Sequence, residues 1–90
     1  MYFTWDQAKY QRTLKERGVD FAVAARIFEG PVLEWDDIRA DHGEIRTIAI
    51  GVVEGREHVV VYTDRDSGRH IISARKANER ERRAYHAKSG

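Results

Sequence analysis

The sequence predicts an α+β fold: a short N-terminal strand, two helices, an antiparallel sheet of about four strands and a C-terminal helix. Three observations carry this reading. Residues 44–53, 57–63 and 69–74 are β-branched runs separated by the turn residues Glu54-Gly55-Arg56 and Asp66-Ser67-Gly68. Ahead of them Asp6 and Asp20 each stand where a helix is capped. Behind them, residues 76–86 contain neither Gly nor Pro and mix charged residues with alanine.

Taken in order, Phe3-Thr4-Trp5 reads as a strand, and Asp6 then caps a helix over residues 7–17. Trp5 and Tyr10 occupy the N′ and N4 positions of a hydrophobic staple. Gly18 ends that helix in the left-handed conformation, with Val19 placed to touch Leu14 as in a Schellman motif. Asp20 caps a second helix whose apolar residues Phe21, Ala24, Ala25 and Phe28 follow i, i+3, i+4, i+7 spacing, and Gly30-Pro31 stops it. Val32-Leu33-Glu34-Trp35 reads as a strand and residues 36–43 as a polar, acidic connection. The last helix has two candidate starts. Ser73 caps it directly in one, and Asn78-Glu79-Arg80-Glu81 forms a later capping box in the other; the earlier start is expected, giving a helix over residues 76–86.

Ninety residues lead to the expectation of one domain, 1–90, with a single modest core. At 41% apolar and 34% charged, with the apolar residues in periodic blocks, the chain has a folding rather than a disordered composition. It has no cysteine, so a disulfide framework is excluded. The longest apolar runs, such as residues 48–53, are too short to span a bilayer, and the first residues lack a basic n-region. The expectation is a cytoplasmic protein with no membrane partner. The net charge of +1 hides an asymmetry: residues 1–64 carry eight Lys/Arg against twelve Asp/Glu, and residues 65–90 carry eight against three. A basic surface of this kind attracts a polyanion or an acidic protein.

Strand alternation sorts the arginines. Arg69, Ile71, Ser73 and Arg75 share one face of the last strand, and His70, Ile72 and Ala74 share the other. Val59, Val61, Thr63 and Arg65 share a face of the strand before, as do Glu44, Arg46, Ile48 and Ile50 of the one before that. If register allows, Arg46, Arg65, Arg69 and Arg75 converge as a guanidinium cluster for a phosphate group. In the competing reading each arginine pairs with a nearby carboxylate or lies in solvent. On the last helix, Asn78, Arg82 and Tyr85 lie near one side, and Glu79 and Arg83 form an i,i+4 pair. Tyr85 either anchors the helix or lends a hydroxyl to a site. His42, His58, His70 and His86 lack metal-site or triad spacing, and Asp36, Asp37, Asp41 and His42 read as an exposed acidic loop. Ser73 has no defined base, and there is no glycine-rich phosphate loop. Neither a metal nor another cofactor is expected.

These residues resemble the BrnT family of type II toxin-antitoxin ribonucleases, small proteins with a RelE-like fold. Phe3-Thr4-Trp5-Asp6-Gln7-Ala8-Lys9 is similar to the family's F-x-W-D-x-x-K, Arg17-Gly18-Val19-Asp20-Phe21 to its K-H-G-V-x-F, and Phe28-Glu29-Gly30-Pro31 to its F-x-D-P. Glu44-Ile45-Arg46 with Gly51 is similar to the central E-x-R stretch leading to I-G. Tyr62-Thr63-Asp64-Arg65 and the stretch from Arg69 to Tyr85 follow Y-T-x-R and R-x-I-S-A-R-x-A-x-x-x-E-R-x-x-Y almost position for position. The resemblance implies a metal-independent ribonuclease that inhibits translation. It also implies inactivation by a cognate ribbon-helix-helix antitoxin in a hetero-oligomer, and contact with operator DNA through that antitoxin.

The residue types suit such chemistry. Cleavage by the RNA's own 2′-hydroxyl requires its deprotonation, stabilisation of a crowded phosphorane and protonation of the leaving 5′-oxygen. Arg46, Arg65 and Arg75 are the candidates for the scissile phosphate. Glu44 or Lys9 serves proton transfer or orients an arginine, and Tyr85 serves substrate contact or acid-base support. Lys9, Arg69 and Arg82 are the further RNA-binding candidates. The alternative from another class is a non-catalytic module whose basic surface docks nucleic acid or an acidic protein segment.

Overall fold

Two aspartates start the first two helices, as their positions predict. In the computed structural model, which describes residues 1–38 and 43–89, the Asp6 carboxylate accepts the Lys9 N–H at 2.9 Å and opens α1 (Gln7–Arg17). The Asp20 carboxylate accepts the Ala22 N–H at 2.8 Å and opens α2 (Phe21–Ala24), which tightens into a 3-10 turn over Ala25–Glu29. Trp5 and Tyr10 make the expected staple, ring centroids 5.6 Å apart. Gly18, at φ 67°, donates its N–H to Leu14 O at 3.0 Å. This bond is that of the simpler left-handed cap rather than the Schellman pair. Val19 turns into the core, while Leu14 stays exposed.

The strands are β1 (Phe3–Trp5), β2 (Leu33–Asp36), β3 (Thr47–Val53), β4 (Arg56–Arg65) and β5 (Gly68–Lys76), and they form one mixed sheet in the order β1-β5-β4-β3-β2. The expected antiparallel strands are β2 to β5. The opening strand adds a fifth, parallel to β5, with Thr4 opposite His70. A parallel neighbour needs a crossover, and α1 and α2 supply the chain that carries β1 at one edge to β2 at the other. Glu54 and Gly55 both adopt positive φ, 52° and 74°, in the tight turn that joins β3 to β4.

Each sheet face has its own core. On one face, Phe21, Ala24 and Ile27 pack on Ala49, Val60, Ile71 and Ala74. Gly51 makes this approach possible, since a Cβ there would lie 2.7 Å from the Cβ of Ile27. On the other face, Ala77 and Tyr85 pack on Ile50 and Val59, which seats α3 (Glu79–Ser89).

The later capping box, not Ser73, starts α3. Asn78 Oδ1 accepts the Glu81 N–H at 2.8 Å, and Glu81 Oε1 accepts the Asn78 N–H at 2.9 Å. Strand pairing outcompetes the earlier helix start: Lys76 still opposes His58, and the Ala77 N–H donates to Glu57 O at 3.0 Å. The pair expected on the helix surface is also present, with Arg83 Nη1 3.9 Å from Glu79 Oε1.

Glu57 of β4 clamps the same helix. Its carboxylate is buried and accepts from Arg82 Nε at 3.0 Å and His86 Nε2 at 2.5 Å. The His86 bond first, then a backbone bond and the Arg82 charge, outweigh desolvation and bring the Glu57 pKa from 4.5 to about 2. A carboxyl whose pKa falls on folding stabilises fully above its unfolded value, and this contribution is lost as pH drops from 4.5 towards 2. Glu57→Gln is therefore expected to cost about 2 kcal/mol at neutral pH. It also flattens the acid limb of a plot of thermal midpoint against pH; an unchanged limb would contradict the clamp.

Candidate active site

Arginine placement in the β4–β5 hairpin follows from its turn. With only Asp66 and Ser67 between the strands, Arg65 opposes Gly68, Asp64 opposes Arg69 and Thr63 opposes His70. Arg65, Thr63 and His70 thus face the side that carries α3, and Arg69 faces the other. A register irregularity then pairs Tyr62 with Ile71 and Val61 with Ser73, so Ile72 is an extra residue and Ser73 and Arg75 return to the α3 side.

Uninterrupted alternation had put Arg69 and Arg75 on one face; the bulge separates them. Arg69 lies under the first core, its guanidinium carbon 3.9 Å from the Tyr62 ring centroid and 4.8 Å from that of Phe28. Its Nε and Nη2 donate to Asp64 at 2.8 and 3.1 Å. Beside it the Tyr62 O–H donates to Glu34 at 2.8 Å, and burial followed by that bond pushes the phenol up to about 12. Arg69 is a brace of the fold rather than a member of the cluster.

On the α3 side, beyond the helix, four charged or titratable residues meet. Arg65 donates from Nε and Nη2 to the two Glu44 oxygens at 2.8 and 3.0 Å. The Arg65 bond, ahead of the charges of Arg65, His70 and Arg46, holds the Glu44 carboxyl below its ordinary range despite desolvation. Arg46 Nε is buried and has no hydrogen-bond partner among the described residues. His70 Nδ1 lies 2.8 Å from Thr4 Oγ1 of the edge strand. Burial, then the Arg65 charge, lowers the His70 pKa, against weaker opposition from Glu44 and Asp6. Chemically, the group sets two guanidinium cations beside one carboxylate, with an imidazole at its border whose charged form is disfavoured.

The chain as a whole is similar to one known family. The model for the ribonuclease toxin BrnT of type II toxin-antitoxin systems matches residues 5–81. This chain belongs to the BrnT family. No curated protein matches it. Family membership implies an RNA target and an antitoxin partner. Among the described residues, no helix is long and apolar enough to cross a membrane.

The other expected site residues of this BrnT-family chain are dispersed. Arg75 is on the α3 side but opposes Val59, about 13 Å along the strand from the Thr63–His70 pair. Its Nη1 and Nη2 donate to Glu81 at 2.8 and 2.7 Å. Arg82 is engaged with Glu57, and Lys9 sits on the first turn of α1, half-buried. The Tyr85 O–H donates to Pro31 O at 2.9 Å from a buried ring, so this phenol is an anchor of α3. Of the acidic loop, Asp41 and His42 lie outside the described residues.

His70 and Thr4 were absent from the expected site of this BrnT-family chain. The two-residue turn contained the signal for His70, because it alone sets Thr63 opposite His70 and both on the Arg65 face. Thr4 had no such signal, since a parallel edge pairing is not encoded locally.

Proposed function

We propose that this chain is the endoribonuclease toxin of a type II toxin-antitoxin system, which cuts RNA through the RNA's own 2′-hydroxyl, without a metal, and so inhibits translation. A cognate ribbon-helix-helix antitoxin neutralises it in a hetero-oligomer and links it to operator DNA. The observation that supports this reading best is Arg46, a cation whose buried Nε has no hydrogen-bond partner among the described residues, beside the Arg65–Glu44 pair. Such a group is costly to the fold and becomes satisfied when a phosphate oxygen arrives.

In this mechanism Arg46 and Arg65 donate to the non-bridging oxygens as charge builds on the phosphorane. Glu44 holds Arg65 side-on by Nε and Nη2, which leaves Nη1 for the phosphate. Arg75 binds a flanking phosphate, and Lys9 and Arg82 guide the strand. The products are a 2′,3′-cyclic phosphate and a 5′-hydroxyl, and no net proton is consumed.

A non-catalytic docking module is the second reading, favoured by the carboxylate partners that already neutralise Arg65, Arg69 and Arg75. Incubating the purified protein with a short RNA in EDTA separates the two. Cleavage with cyclic-phosphate ends is the expected result; RNA left intact by folded protein overturns the ribonuclease reading. Within a positive assay, Arg75→Gln is expected to raise KM more than it lowers kcat.

A further inference from the structure

We propose that His70 is a catalytic residue of this site, the base that takes the 2′-hydroxyl proton, and that Thr4 is the positioning residue that holds its ring. This inference rests on the ribonuclease reading above and adds a proton acceptor to it.

The geometry argues for His70 in three steps. First, β5 places it between the edge strand and the arginines, where the charged groups bearing on it are Arg65 of β4, Glu44 ahead of β3 and Asp6 at the start of α1. Second, the 2.8 Å contact to Thr4 fixes one side of the ring. When Nδ1–H donates to Thr4 Oγ1, the Nε2 lone pair is the free one, and Nε2 has no hydrogen-bond partner among the described residues. Third, the carboxylate among the candidate bases is occupied: both Glu44 oxygens accept from Arg65, and the paired carboxylate is held in its charged, weakly basic form. A neutral imidazole at pH 7 is the better acceptor.

In the step itself, Nε2 takes the 2′-hydroxyl proton as the O2′–P bond forms and the P–O5′ bond breaks. The leaving 5′-oxygen takes its proton from water, and His70 returns its own to solvent. The imidazole ends neutral and the reaction balances.

The test is cleavage of a short RNA oligonucleotide in EDTA across pH. For the wild-type chain, kcat/KM is expected to rise through an acid limb with a midpoint below the ordinary histidine value of 6.5 and then level off. His70→Gln is expected to lose that limb and at least about 100-fold in rate. In His70→Ala, added free imidazole is expected to restore cleavage. Thr4→Val is expected to lower the rate and displace the limb, and Thr4→Ser to restore both. Thermal midpoints of the variants check that each is folded. If the wild-type chain cleaves while His70→Gln keeps its rate and limb, His70 is not the base and the ribonuclease reading stands. If the wild-type chain cleaves nothing, both fall together. Folded His70→Ala that is inactive and unresponsive to imidazole also overturns the assignment.

Discussion

Arg46→Met is expected to lower RNA cleavage at least tenfold while raising thermal stability. The two effects have opposite signs because they come from the same feature. A buried guanidinium nitrogen without a partner among the described residues costs the free protein about 1–3 kcal/mol, and an apolar side chain of similar length removes that cost. The same nitrogen is the donor left over for a phosphate oxygen, and tenfold in rate corresponds to about 1.4 kcal/mol of transition-state stabilisation. Kinetics on a short RNA, with urea unfolding of the same samples, reads both effects. Unchanged cleavage removes Arg46 from the site, and a clear loss of stability shows that its nitrogen is satisfied in solution. Arg65→Gln is the companion variant. It is expected to lose at least tenfold in cleavage without the gain in stability, because it leaves Glu44 without its bidentate partner.

The largest stability effect is expected at Ile27. This side chain is fully buried where the 3-10 turn meets the sheet, against the glycine whose missing Cβ admits it. Ile27→Ala removes that contact and leaves a cavity, at about 2–5 kcal/mol. Against a stability of about 5–15 kcal/mol for an ordinary small protein, this is a large share. A urea midpoint that falls with an unchanged slope is the expected observation. A shift of under about 0.5 kcal/mol would mean that the turn relaxes over the sheet and that Gly51 is not the seat of its packing.

Most local readings succeeded where the deciding interaction lay within a few residues, although the expected Schellman contact of Val19 with Leu14 gave way to a simpler left-handed cap. Asp6 and Asp20 cap the helices that their positions predict, and α1 runs from Gln7 to Arg17 as read. The Glu54-Gly55 turn closes its hairpin because both residues accept positive φ. The misreadings share a cause. Ser73 and the Asn78 box were both competent helix caps, and choosing between them required knowing that Lys76 still had a strand to pair with. Arg69 and Arg75 follow strict alternation on paper, and a single extra residue in β5 puts them on opposite faces. Tyr85, in the same motif as Arg75, carries a hydroxyl suited to either role, and only the structure shows its ring buried against β3 and β4 with the O–H on Pro31 O.

By itself, then, the sequence determined the α+β class, the N-caps of the first two helices, the hairpins, the basic second half and the family resemblance that the family match bears out. Each of these rests on short-range chemistry: side-chain periodicity, cap hydrogen bonds, turn dihedrals and residue identity at fixed spacing. The tertiary structure alone decided which charged groups meet. Arg46 joins Glu44, Arg65 and His70, Thr4 reaches His70 from a parallel edge strand, and Arg75 is drawn off to Glu81. The physical reason is register. One residue of slip or bulge reverses the face of every side chain after it, and register is set by pairing between strands far apart in the chain.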